Sequence, residues 1–170
     1  DQKFRLQLRD IEKEYGSGSK ELKECWQIIR EKDSVNIIKV RAIIDQYGWP
    51  SADIIRKKGS KTLFLVMQHA DIETQDKYLP IMREAVKNGN AAASQLALLE
   101  DRVALRRNKK QIYGSQIGKD PDTKLYYVRP LEDPDHVNER RASVGLEKLE
   151  KYIKYWDLKW DAGQYKNDLP

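Results

Sequence analysis

Cysteine and histidine are scarce: Cys25 is the one cysteine, and His69 and His136 are the two histidines. A lone cysteine excludes an intramolecular disulfide, a CxxC pair and dithiol redox chemistry. Two histidines cannot build a zinc site of the usual His/Cys type within one chain unless carboxylates supply most of the ligands. No metal or cofactor is therefore expected, and Cys25, with no activating neighbour in sequence, reads as a small core residue. No apolar run approaches the roughly 20 residues of a bilayer-spanning helix, so no membrane span is expected. A glycine-rich phosphate loop, HExxH, G-x-S-x-G and the dinucleotide fingerprint are all missing, which argues against P-loop hydrolysis and nicotinamide chemistry. There is no internal repeat and no low-complexity tract.

What is present is charge. Charged residues make up 35% of the 170 positions against 39% hydrophobic, the balance of a helical protein with a heavily solvated surface. That length suits one domain, residues 1–170, with a core that needs no disulfide. The net charge of +5 is concentrated in "RKKGSK" (Arg56 to Lys61) and "RRNKK" (Arg106 to Lys110). Both read as solvated helix ends, where cations also suit the helix dipole, so a nucleic-acid partner is not favoured. The chain begins at Asp1 rather than Met, which leaves a removed export signal and a trimmed end both open.

Apolar spacing predicts a helical bundle. Phe4, Leu8, Ile11 and Tyr15 define a first helix that "GSGS" (Gly16 to Ser19) ends. Ser19 is the expected N-cap of a long second helix, which Gly48 and Trp49-Pro50 stop. Ser60 is expected to cap a short apolar helix through Met67, although Leu63 to Met67 would also suit a buried strand, and Asp71 to cap the next helix, with Pro80 starting or kinking a further segment. Ala91 to Arg107 is the clearest helix, apolar around most of its circumference, so Asp101 and Arg102 need partners there. Beyond it, β-branched and aromatic residues flank Pro121-Asp122, which predicts a small hairpin over about 111–128 in the C-terminal half of an otherwise mainly α fold.

The motifs "DQKFR", "DQYGWP", "QHAD" with a following Gln75, "LALLEDRV" and "QIYGSQ" occur in that order between Asp1 and Gln116. Together they resemble a bacterial domain of unknown function with the pattern D-Q-x-x-R, G-W-P, Q-H-A-D, L-x-D-R and Y-G-[ST]-Q, a family many of whose members carry an export signal. Where members often have a glycine after G-W-P, this chain has Ser51-Ala52-Asp53. The resemblance implies no activity, and it does not reach residues 117–170.

Asp1 and Arg5 share one helix face, Asp71 and Gln75 another, and Asp101 and Arg102 lie on a third helix. If these faces converge they form a cleft for a small polar ligand. His69 is then the natural acid or base, with Asp71 and Asp101 as catalytic carboxylates. Gln68, Gln75, Arg102, Trp49, Tyr113, Gln116, Asp1 and Arg5 would bind the ligand. Hydrolysis by acid-base chemistry fits that set. Each residue has a plainer reading too: His69 as a structural imidazole, Asp71 as a cap, Asp101 and Arg102 as a packing ion pair, Trp49 as core, Tyr113 and Gln116 as a strand edge. In the alternative, the same groups are internal polar clips of a non-catalytic helical module that binds another protein.

Overall fold

The computed structural model describes residues 2–167 and is mainly helical. Helix α1 (Gln2–Tyr15) stops at the turn after Gly16, and the Ser19 hydroxyl then accepts the Leu22 amide at 3.2 Å to start α2 (Lys20–Tyr47). Gly48, at φ 69°, ends α2 by donating to the Ile44 carbonyl, in a conformation that glycine adopts without penalty. The next helix corrects the expectation at Ser60. Helix α3 (Ala52–His69) begins eight residues earlier and carries Ser60 buried in its interior, with a break at Arg56, where φ is 59° and ψ 167°. "RKKGSK" thus lies inside a helix rather than at its end. Ile55, before the break, packs on the same core as Leu63, Phe64 and Met67 after it, which favours continuing the helix across the irregularity.

Asp71 caps α4 (Ile72–Lys87), and Pro80 neither starts nor ends an element: α4 runs through it. Burial of Tyr78, Leu79, Met82 and Ala85 on both sides of the proline outweighs the lost helical hydrogen bond. Helix α5 (Ala93–Arg106) lies within the span read from sequence. Helices α3, α4 and α5 pack on one another, α2 packs on α3, and α1 on α2. Their core includes Ile44, Trp49, Met67, Met82 and Leu99.

Strands β1 (Ile117–Lys119) and β2 (Tyr126–Val128) pair antiparallel, with Ile117 opposite Val128. The hairpin is shorter than 111–128 because residues 111–116 form a loop held by side chains. Helices α6 (Val137–Ser143), α7 (Leu149–Tyr152) and α8 (Ala162–Asn167) follow, with short 3-10 turns at Pro134–His136 and Ile153–Trp156. Leu131, Val137, Leu149 and Ile153 make a second, smaller core here.

Candidate functional site

His69 is the last residue of α3, where an apolar helix runs out and its side chains meet solvent. It is half-buried and lines an open cleft of about 300 Å³ with Arg30, Asp33, Ser34, Ile37 and Asp71. Burial, and then the charges of Arg5, Arg102 and Arg106, press its pKa from 6.5 down to about 3. At neutral pH the imidazole is therefore uncharged, and it sits in a cationic field.

Arg102, on α5, is the source of part of that field. It is half-buried, and its Nε is fully enclosed with no hydrogen-bond partner. No ion pair reaches it among the described residues. Burial, then Arg106 and Arg5, push its pKa down to about 10, with Tyr152 acting in the opposite sense and Arg129 adding to the repulsion. The packing ion pair between Asp101 and Arg102 does not form. Arg5 is paired with Asp33 of α2.

The junction between α3 and α4 is built from the polar motif itself. Gln75 is fully buried, and its Nε2 donates to the carbonyls of Met67 at 3.1 Å and Gln68 at 3.0 Å, closing the C-terminal end of α3. Its Oε1 accepts from Arg106 at 2.9 Å, while the same Arg106 nitrogen donates to the Ala70 carbonyl at 2.7 Å. Gln68 donates to the Leu98 carbonyl at 3.2 Å, and its Oε1 is enclosed without a partner. Asp71 accepts the Thr74 amide at 2.7 Å and its hydroxyl at 3.1 Å, and the amide bond foremost holds the carboxyl below its usual pKa. An apolar helix ends in polar groups here because its C-terminal carbonyls need donors.

Asp101 faces elsewhere. It is fully buried and accepts three backbone amides, those of Ile112 at 2.7 Å and Tyr113 at 2.9 Å on one oxygen and that of Ser115 at 2.9 Å on the other. It is not among the charges that act on His69. Tyr113 and Gln116 belong to this same loop: the Gln116 amide donates to the side chain of Gln111 at 2.8 Å, and its Nε2 to Ser115 Oγ at 3.0 Å. Burial raises the Tyr113 pKa. Trp49 is buried in the helical core, its indole N–H without a partner. Asp1 lies outside the described residues. The structure therefore brings His69, Arg5 and Arg102 into one electrostatic neighbourhood, with Gln68, Gln75 and Asp71 at the adjoining helix junction. Asp101, Tyr113 and Gln116 gather around a separate loop.

The sequence model of a family described as of unknown function, DUF6624, matches residues 1–164. The chain belongs to the DUF6624 family. No curated protein and no solved structure matches it. The DUF6624 match extends well past Gln116 and takes in most of the C-terminal third.

In this DUF6624 chain the sequence reading missed Arg106, Arg129 and Tyr152, which complete the surroundings of Arg102. Arg106 was hidden in a run that looked like a solvated helix end. Its signal was its spacing, four residues after Arg102 and hence on the same helix face. Among the described residues no three histidine, cysteine or carboxylate side chains gather as a metal would require. His69, a neutral imidazole, lies within the electrostatic reach of the desolvated Arg102 guanidinium, and both groups can donate hydrogen bonds to an oxyanion.

Proposed function

We propose that this protein binds a small oxyanion, a carboxylate or phosphate group of a metabolite-sized molecule, at His69 and Arg102. One observation carries the reading: Arg102 holds a half-buried cation whose Nε has no partner and whose neighbours Arg106, Arg5 and Arg129 repel it. A guanidinium withdrawn from water without a counter-charge is costly, and an anion accepting its forked N–H groups removes that cost. Asp71 and Gln75 support the junction from which His69 projects. Asp101 holds the 112–115 loop and acts on the ligand only through that loop.

An acid-base role for His69, hydrolysis included, belongs to the liganded state. A bound anion offsets the field of the arginines and raises the imidazole pKa from about 3 toward neutrality, where proton transfer is efficient. The test is calorimetric titration with inorganic sulfate and phosphate. The parent protein should bind, and Arg102→Met should weaken binding about tenfold or more, as expected for losing a charged, forked contact. Equal binding by parent and Arg102→Met overturns the reading.

The interaction-module alternative rests on a different observation, the exposure of Ile28, Val35 and Ile38 along α2. Ile38→Lys separates the two: it should leave anion binding unchanged, and only a protein contact would be lost with it.

A further inference from the structure

Among the described residues four enclosed side-chain nitrogen or oxygen atoms lack a hydrogen-bond partner, and three of them gather along one face of α5: Gln95 Oε1, Arg102 Nε and Gln68 Oε1. Gln95 lies seven residues before Arg102, on the same face and about 10 Å away along the helix. Gln68 comes from α3, but its Nε2 donates at 3.2 Å to the Leu98 carbonyl, the group that also receives the Arg102 amide within the helix. That bond fixes which end of the carboxamide is oxygen, since only the nitrogen can donate to a carbonyl. The Gln68 side-chain oxygen is therefore held beside the turn from which Arg102 projects, on a residue that is 6% exposed.

A buried polar atom left unpaired costs free energy, and three along one face mark a place where a bound molecule supplies what the protein does not. The three have opposite needs. Arg102 needs an acceptor, and the two amide oxygens need donors. Arg102 is half-buried, so this face meets solvent at its arginine. The donor that meets Gln68 is not an ammonium, because Arg5, Arg106 and Arg129 already repel the Arg102 charge and a further cation would enter the same field. An uncharged hydroxyl fits. It donates to an amide oxygen and accepts from guanidinium N–H groups that the anion leaves over. We propose that the ligand is a small hydroxylated oxyanion, a hydroxycarboxylate or a hydroxyalkyl phosphate, whose hydroxyl donates to the Gln68 side-chain oxygen while its anionic group sits on Arg102.

The hydroxyl contact rests on the reading of Arg102 as an anion site, and the probes are chosen so that the two can fail separately. The whole chain is titrated calorimetrically at neutral pH with sulfate, then with propionate, lactate, glycerate and free alanine, and then with ethyl phosphate and glycerol phosphate. Sulfate reports the anion site alone. In at least one of the two series a hydroxylated anion should bind about fivefold to tenfold tighter than its plain partner, the gain expected of one hydrogen bond to an otherwise unpaired buried oxygen. The series in which the gain appears tells carboxylate from phosphate. Alanine should bind no tighter than propionate. Gln68→Leu should abolish the preference and leave sulfate affinity unchanged, and the comparison within the parent protein decides the matter even where that variant does not fold. Sulfate binding with equal affinity for hydroxylated and plain anions in both series would overturn the hydroxyl contact and leave the anion site standing. Alanine bound more tightly than lactate, or a preference that survives in Gln68→Leu, would overturn it as well. Binding of neither sulfate nor any of these anions would overturn both.

Discussion

Arg102 and Asp101 are neighbours on α5 with opposite situations. The carboxylate has three amides to accept, and the guanidinium has an enclosed nitrogen with nothing to donate to. Replacing Asp101 by Asn should therefore cost roughly 3 kcal/mol in urea denaturation, since an amide NH₂ then faces backbone N–H groups. Arg102→Met should instead raise the stability of the ligand-free protein by about 1 kcal/mol, because it removes an uncompensated desolvated charge. A loss of stability in Arg102→Met would mean that the guanidinium is a structural clip. His69 adds a pH signature. Its folded pKa, about 3, lies below its ordinary 6.5, so on acidification the unfolded chain takes up a proton that the folded chain refuses. The resulting penalty is absent above 6.5 and complete only below about 3. Asp71 and Asp45, whose pKa values are lowered, lose their stabilising contribution only as pH falls below the ordinary 3.8. His136, raised by its hydrogen bond to Asp133, works in the opposite direction to His69. The parent should thus lose stability between 6.5 and 3.8, and His69→Gln should flatten that loss. Sulfate affinity should rise over the same acidification in the parent, because sulfate does not titrate there and the bound anion favours imidazolium. Identical stability profiles for parent and variant would show that His69 is an ordinary imidazole.

At the scale of elements, legibility followed the chemistry of caps. Ser19 and Asp71 were readable because a short oxygen-bearing side chain before an apolar run satisfies amides that nothing else can reach. Ser60 looked the same and was not a cap, because Ile55 had its own place in the core and drew the helix back to Ala52. No residue type announces the break at Arg56, since the conformation it adopts is one that favours glycine. The glycine that is present, Gly59, serves the break differently: a Cβ there would lie 2.9 Å from Ile55 Cβ. Two substitutions three residues apart, at Arg56 and Gly59, should then have opposite signs when stability is measured. Gly59→Ala should destabilise by about 1–3 kcal/mol through crowding against Ile55. Arg56→Gly should stabilise by about 1 kcal/mol, because it relieves backbone strain at an exposed position. Arg56→Gly less stable than the parent would mean that the backbone there is not strained.

At the scale of the molecule, the helical core and the smaller C-terminal core share one loop, and the two sides of its backbone are held by opposite charges. Asp101 of α5 accepts the amides of residues 112, 113 and 115. From the other side, Arg141 donates to the Tyr113 carbonyl at 2.7 Å and to the Glu147 carbonyl at 2.6 Å, and the Tyr152 hydroxyl donates to the Ser115 carbonyl at 2.9 Å. Arg141 is 1% exposed and stacks over the Tyr152 ring at 4.9 Å. Sequence could not show this role, because an arginine in a short charged helix reads as a surface group until its carbonyl partners, 28 residues away in one case, are in view. The arrangement makes cooperativity between the two cores depend on a few polar contacts more than on shared apolar area. Arg141→Leu keeps volume but leaves the carbonyls of Tyr113 and Glu147 without their donor. Hydrogen exchange should then show amides of residues 131–153 opening well before those of α3, α4 and α5, and thermal unfolding should separate into two steps. A single cooperative transition with uniform exchange would show that the apolar contacts alone join the two cores.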